Sequence, residues 1–535
     1  MAETSTSPTS SGGHSTRGQP PAGPSSSPAL GFSTLEDEVV LDALALSGEV
    51  PAWLAGSLLR TGPAKFEVGA RGMRHWFDGL AMLHRFTFEG GRVSYASRFL
   101  RSAAYRAARE RGEIAYSEFA TDPCRSLFRR VQSLFAPTLT DNANLNVGQL
   151  GARLIAMTET PMPLEFDPVT LQTAGVAYTA PGQLTTAHPH LDRATGAMLN
   201  YAARLGPRSS YRFFTVGPDL TPPRMLASLP VSEPAYIHSF GLTERWIVLA
   251  EFPLVVNPLR LALSGRPYIE NYRWKPERGT RFTLVDRATG QRMTGFETDP
   301  CFAFHHVNAY DDGDDVVVDV CAYPDSQIIE DLYLERLRAG KPASRAHLRR
   351  FRLSVGDRHV TSRPLGEGWV ELPRINYAHC NGRCHRFVWG VDAASGWIDR
   401  IMRVDTEAET ATHWSQTGCY PGEPVFVARP NADREDDGVL LSVVLDAGRG
   451  TSALLVLDAQ TLEQVARAEV PTTFPSGSTA SSRARSNRAT RLAFCGATGS
   501  GGVRSVGSEH RRLGHCRRST IPACTNAYRA MAQSG

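Results

Sequence analysis

Lysine is almost absent from this chain. Of 58 Lys and Arg residues only Lys65, Lys275 and Lys341 are lysines. Together with abundant Ala, Gly and Pro, this points to GC-rich codon usage before any functional pressure. Long hydrophobic runs are missing as well. No stretch reaches the roughly 18 consecutive apolar residues of a membrane-spanning helix. Nine cysteines in 535 residues are too few for a disulfide scaffold. The first 30 residues hold no apolar stretch of a secretory leader, and 21 of them are Ser, Thr, Pro or Gly. So little apolar surface cannot offset the entropy of ordering, so residues 1–33 are expected to form a disordered tail. The expected location is cytoplasmic.

The rest has ordinary globular composition, 41% hydrophobic and 21% charged, enough to bury a large core. Residues 34–470 read mostly as strands and turns. The runs 246–250, 315–321, 439–445 and 453–458 are rich in β-branched residues and bounded by turn formers. Asp312-Gly313 and Asp437-Gly438 are turn signals leading into apolar strands. Five times a strand ends in Asp, followed three residues on by Thr or Ser and then Gly or Leu, starting at Asp167, Asp192, Asp286, Asp392 and Asp458. Such an Asp accepts from backbone N–H groups two residues on. Recurrent strand–turn–strand units over 400 residues suggest an all-β propeller, with two β-sandwiches as the alternative.

Helices are few. The clearest covers 125–135, where Leu127, Phe128, Val131, Leu134 and Phe135 share a face and Arg125, Arg129 and Arg130 lie off it. An apolar face flanked by arginines suits a membrane surface, and equally a helix packed on the propeller. The apolar stretch 254–263 is a candidate for the same patch.

Three histidines stand apart by context: His188 in Thr-Thr-Ala-His-Pro-His, His238 in Tyr-Ile-His-Ser-Phe, and His305 in Phe-His-His-Val-Asn-Ala-Tyr. Each sits near the start of a strand pattern. Inner strands of a propeller converge on one axis, so histidines distant in sequence can meet there and hold Fe, Zn or Cu. No compact ligand motif such as HExxH is present. Cys380 and Cys384, flanked by His379 and His385, lack the tight pairing of structural zinc sites.

The sequence resembles the carotenoid cleavage oxygenase family. The resemblance runs from about residue 50 to 470 and rests on dispersed motifs: Gly56 to Pro63 (GSLLRTGP), His75 to Met82 (HWFDGLAM), Thr186 to His190, the FHHVNAY stretch at 304–310, Glu371 to Tyr377 (ELPRINY), Tyr420 to Pro424 and Glu435 to Gly438. It implies a seven-bladed β-propeller with a few helices forming a membrane-facing cap. It also implies Fe(II) on the axis, held by four histidines, of which three correspond to His188, His238 and His305. Glu159, Glu371 and Glu423 match the family's glutamates that orient those histidines. The implied reaction is cleavage of a conjugated double bond of a carotenoid or apocarotenoid by O2, giving two carbonyl products. The HWFDGLAM and FHHVNAY wording is closest to the retinal-forming and retinoid branch. Stilbenoid-cleaving and retinoid-isomerising relatives are the alternatives. A membrane-dissolved substrate implies a peripheral membrane surface as partner, with the 125–135 helix as the docking patch.

The resemblance fails at one ligand. The fourth histidine is absent, and alignment puts Thr479 at its position. Residues 471–535 also change in character, with ten Arg, one acidic residue (Glu509) and no strand periodicity. They carry a net charge of +9, so the rest carries −5 under the overall +4. The basicity therefore gives no reason to expect a nucleic-acid partner. A frameshift near Pro471 explains the change, because Thr472-Thr473 becomes His-His when read one base earlier. On this reading 471–535 is a disordered tail, the propeller closes incompletely, and an inactive apolar-ligand binder is the alternative to an enzyme.

Overall fold

The computed structural model describes residues 27–122, 139–474 and 480–483. Seven antiparallel sheets follow one another along the chain as blades of a propeller. The first combines Gly56–Lys65, Leu80–Glu89, Arg92–Phe99 and Val40–Leu41, and the second runs from Asn146–Leu150 to Thr173–Val176. Blades three to six span Leu184–Pro230, Gly241–Thr298, His306–Trp369 and Glu371–Ser415. The seventh runs from Cys419–Pro421 to Gln464–Val470.

The strands form where the side-chain pattern demands them. Trp246–Glu251, Asp315–Ala322, Gly438–Asp446 and Thr451–Asp458 contain the four apolar runs, and nearly every residue in them is buried. Central strands covered on both faces lose the alternation of a half-exposed sheet, which is why they read as continuous apolar runs. At Asp312-Gly313 the hairpin turns through Gly313 at φ 65°, a left-handed conformation that favours glycine.

The ring closes, contrary to the expectation of an incomplete propeller. Ala45–Gly48 pairs with Ala466–Glu469 as the outer strand of the seventh blade. Ala480–Arg483 pairs with Ser57–Arg60 in the first blade and lies beside the inner strands of blades two and seven. The N-terminal and C-terminal ends of the chain therefore each complete a blade begun by the other. The packed body also extends beyond residues 34–470. Phe32 is buried against Trp76 and Trp397, and Phe474 against His84, Phe86 and Tyr95. Backbone pairing needs no particular side chain, so an edge left open by one sequence can be filled by another.

Short helices cap one end of the ring. They include Ala103–Arg111, Gln327–Asp331 and Leu334–Arg338, and their buried faces join the aromatic core around Trp76 and Trp397. The 125–135 segment, with Leu127, Phe128, Val131, Leu134 and Phe135, lies outside the described residues, as does Thr479.

Candidate metal centre

His188, His238 and His305 meet because blades three, four and five each deliver one just before or within their inner strands. His188 lies between Leu184–Thr185 and His190–Leu191, His238 shortly before Gly241–Leu242, and His305 immediately before His306–Asp312. One ring nitrogen from each lies within 4.8 Å of the others. The Nε2 atoms of His188 and His238 are 3.1 Å apart. Among the described residues this is the one His/Cys/Asp/Glu group that could hold a metal.

Two of the rings are aimed from behind. His238 Nδ1 donates to Glu159 Oε1 at 2.6 Å, and the same oxygen accepts the Tyr236 hydroxyl at 2.7 Å. His305 Nδ1 donates to Glu371 Oε2 at 2.6 Å, an oxygen that also accepts the Leu372 N–H. With Nδ1 protonated, the lone pair of each ring is on Nε2 and faces the group. Burial, reinforced by the neighbouring histidines, pushes the His188 imidazolium well below its usual range. Burial likewise lowers His238, against the pull of Glu159. Burial alone would raise Glu371, but His305 and the Leu372 N–H hold it below the ordinary carboxylate value. His188 and His238 are therefore neutral at neutral pH, the form that binds metals.

The donors fit a divalent ion. Two nitrogens each about 2.1 Å from one ion, at right angles to each other, stand about 3 Å apart, matching the His188–His238 separation. His190 and His306 belong elsewhere. His190 Nε2 donates to the Phe240 carbonyl, and His306 Nδ1 meets Ser239 Oγ at 2.8 Å.

Glu423 has a partner that the sequence did not suggest. It is buried, but its carboxylate is held by Arg374, with Nε to Oε1 and Nη2 to Oε2 both at 2.9 Å. Arg374 was not singled out by sequence reasoning, although it lies three residues after Glu371 in ELPR. Tyr236, two residues before His238, was also missed. Only the folded chain brings Tyr236 to Glu159, so its sequence position carried no signal.

The histidines open onto a cavity whose wall is largely apolar. Phe77 stacks on His238 with centroids 6.3 Å apart, and Phe304 meets its edge at 5.1 Å. Trp76, Trp369 and Trp397 continue the wall.

Comparison with known proteins agrees with this architecture. The model of the RPE65 family, retinal pigment epithelial membrane protein, matches residues 32–478. A mitochondrial carotenoid-cleaving dioxygenase of Macaca fascicularis is 35% identical over 502 residues, covering 80% of this chain and 90% of its own. A beta,beta-carotene 15,15'-dioxygenase of Rattus norvegicus is 34% identical, covering 79% and 86%. Cobalt-substituted Synechocystis apocarotenoid oxygenase superposes with a TM-score of 0.77 at 26% identity, over 86% of this chain and 99% of that one. A seven-bladed ring, a converging histidine trio and a match over most of the length lead to one conclusion: the chain belongs to the RPE65/carotenoid oxygenase family.

Proposed function

We propose that the chain is an iron(II)-dependent dioxygenase that cleaves a conjugated double bond of a carotenoid or apocarotenoid with O2, yielding two carbonyl fragments. The observation that carries this reading is the trio of histidines facing a largely apolar cavity. When bound, iron(II) supplies the redox chemistry with O2. His188, His238 and His305 would hold it, and Glu159 and Glu371 fix the orientation of two of those rings. Phe77 and Phe304 keep water from the histidines and lay an apolar surface for the polyene.

The substrate dissolves in lipid, and the reading includes docking on a membrane surface. Its support is the helix Pro258–Ser264, which buries no residue and exposes Leu259 and Leu263, one turn apart. Arg260, Arg266, Arg273 and Lys275 stand around them and suit anionic headgroups. No helix among the described residues is long and apolar enough to cross a membrane.

One observation favours a second reading, an iron-free binder of polyenes. Thr479 stands where the family resemblance places a fourth histidine. Product analysis separates the two. Protein supplied with Fe(II), O2 and a carotenoid should yield two aldehydes per polyene consumed. Binding with no aldehyde formed would establish the second reading.

A further inference from the structure

The repeated Asp turn breaks at one of its five instances, and that instance lines the cavity. At Asp167, Asp286 and Asp458 the Oδ1 atom accepts the N–H groups two and three residues on. Asp192 accepts that of Ala194. Asp392 instead accepts the adjacent Ala393 N–H at 2.6 Å. Asp399 caps this turn in its place, accepting from Ala394 and Ser395 at 2.8 and 3.0 Å. Asp392 is thus spared the structural duty of its counterparts. It is 6% exposed and shares the cavity wall with the three histidines. Arg400 Nη1 is 3.7 Å from its Oδ2, beyond hydrogen-bond reach.

Arg345 lines the same cavity. Its guanidinium lies 5.4 Å from the Trp369 ring centre and donates to the Ala394 carbonyl at 3.2 Å. It forms no ion pair among the described residues, though its charge acts on Asp392. An acceptor, and a donor whose guanidinium reaches the carbonyl two residues on from it, therefore line the same wall, which is otherwise dominated by aromatic and aliphatic groups.

A hydroxyl both donates and accepts, so it satisfies the two together. A carboxylic acid would meet the like charge of Asp392, and a hydrocarbon end would displace water from both groups without replacing its hydrogen bonds. Resting on the polyene-cleaving reading, we propose that Asp392 and Arg345 form a subsite for the alcohol group of a hydroxylated carotenoid. The hydroxyl-bearing end is anchored there, which sets the double bond that reaches the histidines. These are positioning residues.

The test uses full-length, metal-free protein. It is titrated with β-carotene and with dihydroxylated β-carotene of the same skeleton, and quenching of tryptophan fluorescence reports binding, because three tryptophans line the cavity. The diol should bind about tenfold more tightly, since a site built for a hydroxyl penalises the analogue lacking it. Arg345→Met and Asp392→Leu should each bring that preference close to one while leaving β-carotene affinity unchanged, which also shows the variants are folded. Equal affinity of the wild type for both polyenes, or equal loss of both in the variants, would overturn the subsite and leave the cleavage reading standing. Binding of neither polyene to the wild type would overturn the cleavage reading as well.

Discussion

At His238 a carboxylate and a tyrosine hydroxyl act together on one ring. Glu159 takes the Nδ1 proton and Tyr236 completes the shell of that oxygen, so the ring has one orientation and one tautomer. Glu159→Gln and Glu371→Gln should each lower Fe(II) affinity about 10- to 100-fold in a competitive titration, without removing a direct ligand. Away from the centre, burial holds His75 down to about 3, and places His84 well below its usual value. The unfolded chain protonates such rings near 6.5 while the folded one does not, so stability falls as pH drops below that value. Asp78, raised to about 6 by burial, binds its proton early on acidification and offsets one histidine's share between about pH 6 and 4. Each such histidine costs up to about 1.4 kcal/mol per pH unit below its unfolded pKa, so His75→Gln should make the urea midpoint fall less steeply between pH 7 and pH 5 than in the wild type. The trio itself was legible in sequence because each histidine lies in a distinctive motif. Arg374 was not, because its pairing with Glu423 joins residues on neighbouring blades that share no local pattern.

Two elements bear on the closure of the molecule and on its proposed docking. Closure rests on strands from both ends of the chain, and Phe474 seals the seam by packing on His84, Phe86 and Tyr95. Phe474→Ala should cost about 3–5 kcal/mol, seen as a lower thermal midpoint. This seam was invisible in the sequence: Thr472 to Ala480 has no strand periodicity, and strand Ala480–Arg483 is specified by the open edge of Gly56–Lys65 rather than by its own pattern. The Pro258–Ser264 helix is the opposite case. Its leucines read as apolar sequence, yet the fold leaves them outside. Replacing Leu259 and Leu263 together by Asp should abolish flotation with anionic liposomes while leaving the fold intact. Unchanged flotation would remove this helix from the docking surface.

At the scale of the whole molecule, the propeller converts a scattered sequence into one centre. His188 and His305 are 117 positions apart, yet their ring centres are 5.0 Å apart. The turn repeat and apolar strand runs were enough to suggest a ring of blades, because each blade is local. The number of blades came from the family resemblance, since irregular spacing hides it. Closure is also global, for strand Ala480–Arg483 meets Gly56–Lys65 only after the chain has made a full circuit. The most direct test is iron content. Protein reconstituted anaerobically with Fe(II) and desalted should retain about one iron per chain, and His238→Ala should retain almost none. Iron-free wild-type protein, or equal iron in the variant, would contradict the account.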